Sequence, residues 1–137
     1  MKKTLITQMP EDLPKEIKNF ISDAPIYDSS SSPEARVYFV DKDEGYYLKR
    51  ANLGKLAKEA KMTQYFYSKG LSAEVLDYTA NDYDWLLTRA VKGEDCVYSE
   101  YLANPKRLCD TIACELRRLH ETDSADCPVM ERTREYL

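Results

Sequence analysis

Tyr46-Tyr47-Leu48-Lys49-Arg50 and, after a short interval, Leu56-Ala57-Lys58-Glu59-Ala60 are the residues on which the fold turns. The first block is aromatic and β-forming, as is Ala35-Arg36-Val37-Tyr38-Phe39-Val40 before it. Asp41-Lys42-Asp43-Glu44-Gly45 lies between them, so the pair predicts two strands joined as a hairpin. The second block belongs to a stretch, Leu53 to Lys69, in which Leu56, Ala60, Thr63 and Phe66 or Tyr67 recur at helical spacing, with Gly70 as a stop. Glu59 interrupts the inward side of that helix, and a carboxylate there needs a partner. Lys49, at the end of a strand with apolar and aromatic neighbours, can supply it. At contact distance opposite charges attract by about 4 kcal/mol at an effective dielectric near 20, against about 1 kcal/mol in bulk water. A half-buried Lys49–Glu59 pair is therefore expected. Taken alone, Lys49 also reads as an ordinary exposed edge lysine.

Working outward, Leu13, Ile17, Phe20 and Ile21 predict a short amphipathic helix within Pro10 to Ile21. Asp28 and Ser29-Ser30-Ser31-Ser32-Pro33 read as a flexible polar segment. Ala73 to Thr79 and Trp85 to Arg89 flank the turn-prone Asn81-Asp82-Tyr83-Asp84 and predict a second hairpin. After Gly93 the pattern loosens. Asn104-Pro105 then supplies a cap and first-turn proline for a helix carrying Leu108, Ile112, Leu116 and Leu119. Arg134-Glu135-Tyr136-Leu137 reads as the start of one more helix. The expected organisation is an α+β unit over 1–92, a linker over 93–103, and the start of a helical part over 104–137.

Charged residues make up 32% and hydrophobic ones 43% of the 137 residues, the balance of a soluble globular chain. A net charge of -4, with basic residues interleaved among acids, gives nucleic-acid binding little electrostatic support. No apolar run follows Met1-Lys2-Lys3, so neither a signal peptide nor a membrane span is predicted, and the expected location is cytoplasmic. Cys96, Cys109, Cys114 and Cys127 lack the close spacing of a thiolate metal site and read as reduced thiols. His120, the single histidine, falls at the end of the helix through Leu119, where it reads as a helix-end residue and not as a general base.

A lysine on a strand paired with a glutamate on the following helix is the arrangement by which protein-kinase-like folds aim a lysine at nucleotide phosphates. The text around that pair resembles the aminoglycoside phosphotransferase family, especially its kanamycin-kinase-like members, from about Asp28 to Pro128. The resemblance is carried by Ser32-Pro33-Glu34-Ala35-Arg36-Val37-Tyr38, Tyr46-Tyr47-Leu48-Lys49, Leu56-Ala57-Lys58-Glu59-Ala60-Lys61-Met62, Trp85-Leu86-Leu87-Thr88 and Leu119-His120-Glu121-Thr122-Asp123, in the family's order. It implies a kinase-like N-lobe, an antiparallel sheet with one packed helix, followed by a linker and the first helix of a truncated helical lobe. By that likeness Lys49 would contact the α- and β-phosphates of ATP or GTP, and Glu59 would hold Lys49. Ser31 and Ser32 would stand in the place of a glycine-rich phosphate loop, and Tyr47 would stack on the base. Arg89, Ala90 and Val91 would form the hinge whose backbone reads the purine edge. Read without the resemblance, Tyr47 is equally sheet packing and the serine run equally a plain linker.

Phosphoryl transfer also needs a base for the acceptor hydroxyl and ligands for Mg2+. The family draws these from a His-Gly-Asp block and later residues of the second lobe. No His-Gly-Asp occurs here. The resemblance therefore implies no catalytic residue and no metal ligand in this chain, which is expected to be inactive by itself as part of an aminoglycoside 3'-phosphotransferase-like enzyme. An aminoglycoside-like acceptor is implied for the full-length protein. The competing reading is a non-catalytic interaction module that forms a homodimer through exposed apolar surface.

Overall fold

The computed structural model describes residues 3–129. They form two compact units, one running to Ala90 and including Pro128 and Val129, the other spanning Val91–Cys127. The helix expected at Arg134 to Leu137 lies outside the described residues.

The first unit is built on a six-stranded antiparallel sheet in the order β1-β2-β3-β4-β6-β5. Its strands are β1 (Thr4–Ile6), β2 (Ile26–Asp28), β3 (Ala35–Val40), β4 (Tyr46–Asn52), β5 (Val75–Ala80) and β6 (Tyr83–Arg89). Both predicted hairpins are present: Val40 pairs with Tyr46, and Ala80 with Asp84. Strands β1 and β2 had no counterpart in the sequence reading, because three residues are too few for a period-two signal. Gly45 adopts φ +95° in the β3–β4 turn, and a Cβ there would sit 2.8 Å from Phe39 Cε2, so this position requires glycine.

Alternation along the strands sorts the core into two layers. Tyr46 and Leu48 of β4, with Trp85 and Leu87 of β6, pack under helix α1 (Lys15–Phe20), which contributes Ile17 and is flanked by Leu13 and Ile21. Ala51 and Leu86 face the opposite way and pack with Leu56 and Ala60 of helix α2 (Ala57–Ser68) and its entry turn. Helix α2 starts four residues later than the expected Leu53. Gly54 holds φ +82° and the Lys55 N–H closes a turn on the Asn52 carbonyl, so the chain reverses before the helix begins. Helix α1 is likewise shorter than Pro10 to Ile21, with Pro14 at its N-cap.

The second unit holds α3 (Ser99–Leu102), a single turn within the stretch read as linker, and α4 (Pro105–Glu121). Asn104 caps α4 by accepting the Arg107 N–H at 3.2 Å, as the Asn-Pro pair predicts. His120 lies in the last turn of α4. No helix among the described residues is long and apolar enough to cross a membrane.

Candidate functional site

Because Leu48 and Ala51 are drawn to opposite core layers, Lys49 emerges on the α2 side of the sheet, paired with Val37 on β3 and Leu86 on β6. Leu56 and Ala60 bury one side of α2 and its entry turn, which turns the intervening Glu59 toward the sheet. The two side chains meet: Lys49 Nζ donates to Glu59 Oε2 at 2.8 Å and to Oε1 at 3.0 Å. The lysine is 31% exposed and the glutamate 43% exposed. A pair this open contributes about 1 kcal/mol or less to stability. Its consequence is geometric, since contact with both carboxylate oxygens fixes where the ammonium sits.

That pair forms part of a cavity of about 450 Å³. Val37, Ala51 and Leu56 supply apolar wall, while Ser31, Ser32, Glu34, Asn52 and Lys55 supply polar groups. Lys49 and Lys55 are matched by Glu34 and Glu59, so the lining is electrically balanced and Lys55 has no carboxylate partner among the described residues. The serine run, expected to be flexible, is held in place. Ser29 is buried and donates its N–H to the Val37 carbonyl at 2.8 Å. Ser30 donates its N–H to Asp28 Oδ1 at 2.8 Å, and its hydroxyl accepts the Val37 N–H at 3.0 Å. Hydrogen bonds from Ser30 hold the Asp28 carboxyl below the usual carboxylate range. Ser31 and Ser32 thus project as exposed residues from an anchored loop closed by a Ser32–Ala35 bridge.

The other sequence-predicted residues fall differently. Tyr47 shares the face of Lys49 two residues along β4 but does not line the cavity; its ring packs on Phe39 at 5.3 Å between centroids. Arg89 turns to the α1 side, where its guanidinium donates to Glu74 at 2.8 Å and lies 5.7 Å from the Tyr46 ring. Its N–H is donated to the Glu74 carbonyl and that of Ala90 to the Gly45 carbonyl, each at 2.9 Å. Of the three N–H groups expected to form a hinge, that of Val91 is the one left without an acceptor among the described residues. Val91 is 71% exposed and opens the second unit. The structure therefore joins Lys49, Glu59, Ser31 and Ser32 in one cavity, sets Tyr47 on the same face, and leaves the Arg89 side chain out.

Sequence reasoning missed Lys55 and Glu34 as cavity residues, and it missed Asp84. It placed Asp84 in a turn, whereas Asp84 is a fully buried residue of β6 that accepts the Leu56 N–H at 2.7 Å. An acid between Tyr83 and Trp85, at an inward strand position, is the signal that was there to be used. Among the described residues no group of three or more His, Cys, Asp or Glu side chains is arranged to hold a metal.

Residues 30–137 match the model of the phosphotransferase enzyme family. A probable aminoglycoside 3'-phosphotransferase from Lactococcus lactis subsp. lactis (strain IL1403) is 47% identical over 128 residues, covering 93% of this chain and 49% of that protein. The chain spans about half the length of this curated relative.

Proposed function

Since the chain belongs to the phosphotransferase enzyme family, we propose that it is the nucleotide-binding part of an ATP-dependent small-molecule O-phosphotransferase of the aminoglycoside 3'-phosphotransferase type. The observation that carries this reading is the Lys49 ammonium held by both Glu59 oxygens in a cavity that Ser31 and Ser32 also line. In this reading Lys49 donates to the α- and β-phosphates of ATP or GTP, Glu59 keeps it aimed, and the two serines donate to phosphate oxygens. Tyr47 presents an aromatic face to the base, and the Val91 N–H donates to the purine edge. In the same reading the sheet unit is the N-lobe, 93–103 the linker, and α4 the beginning of a helical lobe. Mg2+ would screen the phosphates. Among the described residues no cluster of His, Cys, Asp or Glu side chains is arranged to hold it.

No His-Gly-Asp block is present in the 137 residues. Assayed alone, the chain is therefore expected to bind nucleotide without phosphorylating an acceptor, aminoglycosides included. Isothermal titration with Mg·ATP tests the reading: saturable binding by the wild-type chain, lost in Lys49→Ala, is expected. A wild-type chain that releases no heat, or equal affinity in the folded Lys49→Ala variant, contradicts it.

A second reading, a non-catalytic docking or homodimerisation module, is favoured by one observation. Ile112, Leu116 and Leu119 form an exposed apolar stripe along α4. Sedimentation separates the two readings, a tight dimer indifferent to nucleotide favouring the second.

A further inference from the structure

Asp84 is fully buried, which is costly for a carboxylate without compensation. Its Oδ2 accepts the Leu56 N–H at 2.7 Å, at the N-terminal end of α2, where the helix dipole also favours negative charge. Oδ1 makes no hydrogen bond of normal geometry. Partial burial holds the Tyr78 phenol above its ordinary pKa, and the neighbouring Asp84 carboxylate adds to that effect through its charge and through hydrogen bonding. On β6 Asp84 stands between Ala51 of β4 and Ala80 of β5, so its backbone is fixed on both sides by the sheet. Leu56, the residue it grips, is three positions before Glu59, close to one helical turn. A rigid strand is thus tied by a short charged hydrogen bond to the start of the helix that delivers the Lys49 partner.

We propose that Asp84 is a positioning residue that sets the placement of α2 on the sheet and so holds Glu59 in register with Lys49. Lys49 and Glu59 approach from separate elements with no backbone bond between them to fix their spacing. A small slide or rotation of α2 would break the contact with both oxygens while leaving the strands intact. A neutral acceptor at position 84 would keep the hydrogen bond and lose the charge on the helix end. A methyl group there would lose both.

The proposal rests on the nucleotide-binding reading for its functional consequence, and the test keeps the two apart. In the full chain without nucleotide, the Lys49 side-chain ammonium resonance and the exchange rate of the Leu56 amide are compared among wild type, Asp84→Asn and Asp84→Ala. Mg·ATP affinity is then measured on the same proteins, with Leu87→Ala in the opposite core layer as a control of comparable thermal destabilisation. Asp84→Ala is expected to shift the Lys49 resonance toward that of Glu59→Gln, speed exchange at Leu56, and weaken Mg·ATP by about tenfold. Asp84→Asn should lie between, and Leu87→Ala should leave the Lys49 resonance in place. In a Glu59→Gln background Asp84→Ala should cause no further loss of affinity. If Asp84→Ala does not fold, Asp84→Asn decides by the same resonance. An unmoved Lys49 resonance in the folded Asp84 variants, or fully additive losses with Glu59→Gln, would overturn the proposal. A wild-type chain that binds no nucleotide would overturn the functional reading alone, because the ammonium resonance still decides whether Asp84 holds the pair.

Discussion

At the scale of single residues, the cavity is a balance of few charges. Lys49 is paired with Glu59, and Lys55, which has no carboxylate partner among the described residues, is a second ammonium in the cavity able to meet added negative charge. Lys55→Glu would change the lining from two cations and two carboxylates to one cation and three carboxylates. Mg·ATP affinity should then fall by about tenfold at low salt, with a smaller loss as salt screens the site. Titrations at two ionic strengths check this; a loss independent of salt would place Lys55 away from the phosphates. Asp28 gives a pH dependence of known sign. Its folded pKa lies below the ordinary 3.8, so its contribution to stability is present above that value and disappears as pH falls through the lower, folded pKa. Acid unfolding of Asp28→Asn should therefore show a shallower pH dependence below about pH 4 than wild type. Identical profiles would show that the clasp on the serine loop contributes nothing there.

At the scale of elements, the turns carry specific demands. Gly45→Ala places a methyl against the Phe39 ring at a left-handed φ, and should cost about 1–3 kcal/mol in urea unfolding. Because Phe39 supports Tyr47, the same change should disturb the face that carries Lys49. Asn104→Ala removes the cap of α4 and should lower its stability by about 1 kcal/mol, seen as faster amide exchange at Arg107. These elements also show what the sequence discloses. The central hairpin was legible because six- and seven-residue strands of β-forming residues flank a charged turn ending in glycine. The Lys49–Glu59 contact was legible because an acid on an apolar helical side demands a partner. Strands β1 and β2 were not, because their pairing is imposed by the sheet edge and not by local pattern. The order in the serine loop was hidden for a related reason. The Asp28 carboxylate is a local anchor two residues before Ser30, but the Val37 backbone reaches the loop only once β2 and β3 are paired. Asp84 was misread because turn propensity describes exposed aspartates, and this one is held inside by a helix end distant in sequence.

At the scale of the whole molecule, the chain belongs to the phosphotransferase enzyme family, and the proposed function rests on that membership together with the cavity of the first unit. The match covers 93% of this chain and 49% of its relative, and under the proposed reading nucleotide binding is the part of the activity assigned to the described residues. The amide NMR spectrum of the full chain, titrated with a non-hydrolysable Mg·ATP analogue, tests this most directly. The account predicts saturable shifts at Ser31, Ser32, Lys49 and Glu59, with Val91 among the responding amides and the Glu74–Arg89 side of the sheet unmoved. An unchanged spectrum, or shifts gathered around Arg89 and α1 while the Lys49 cavity stays silent, would contradict it.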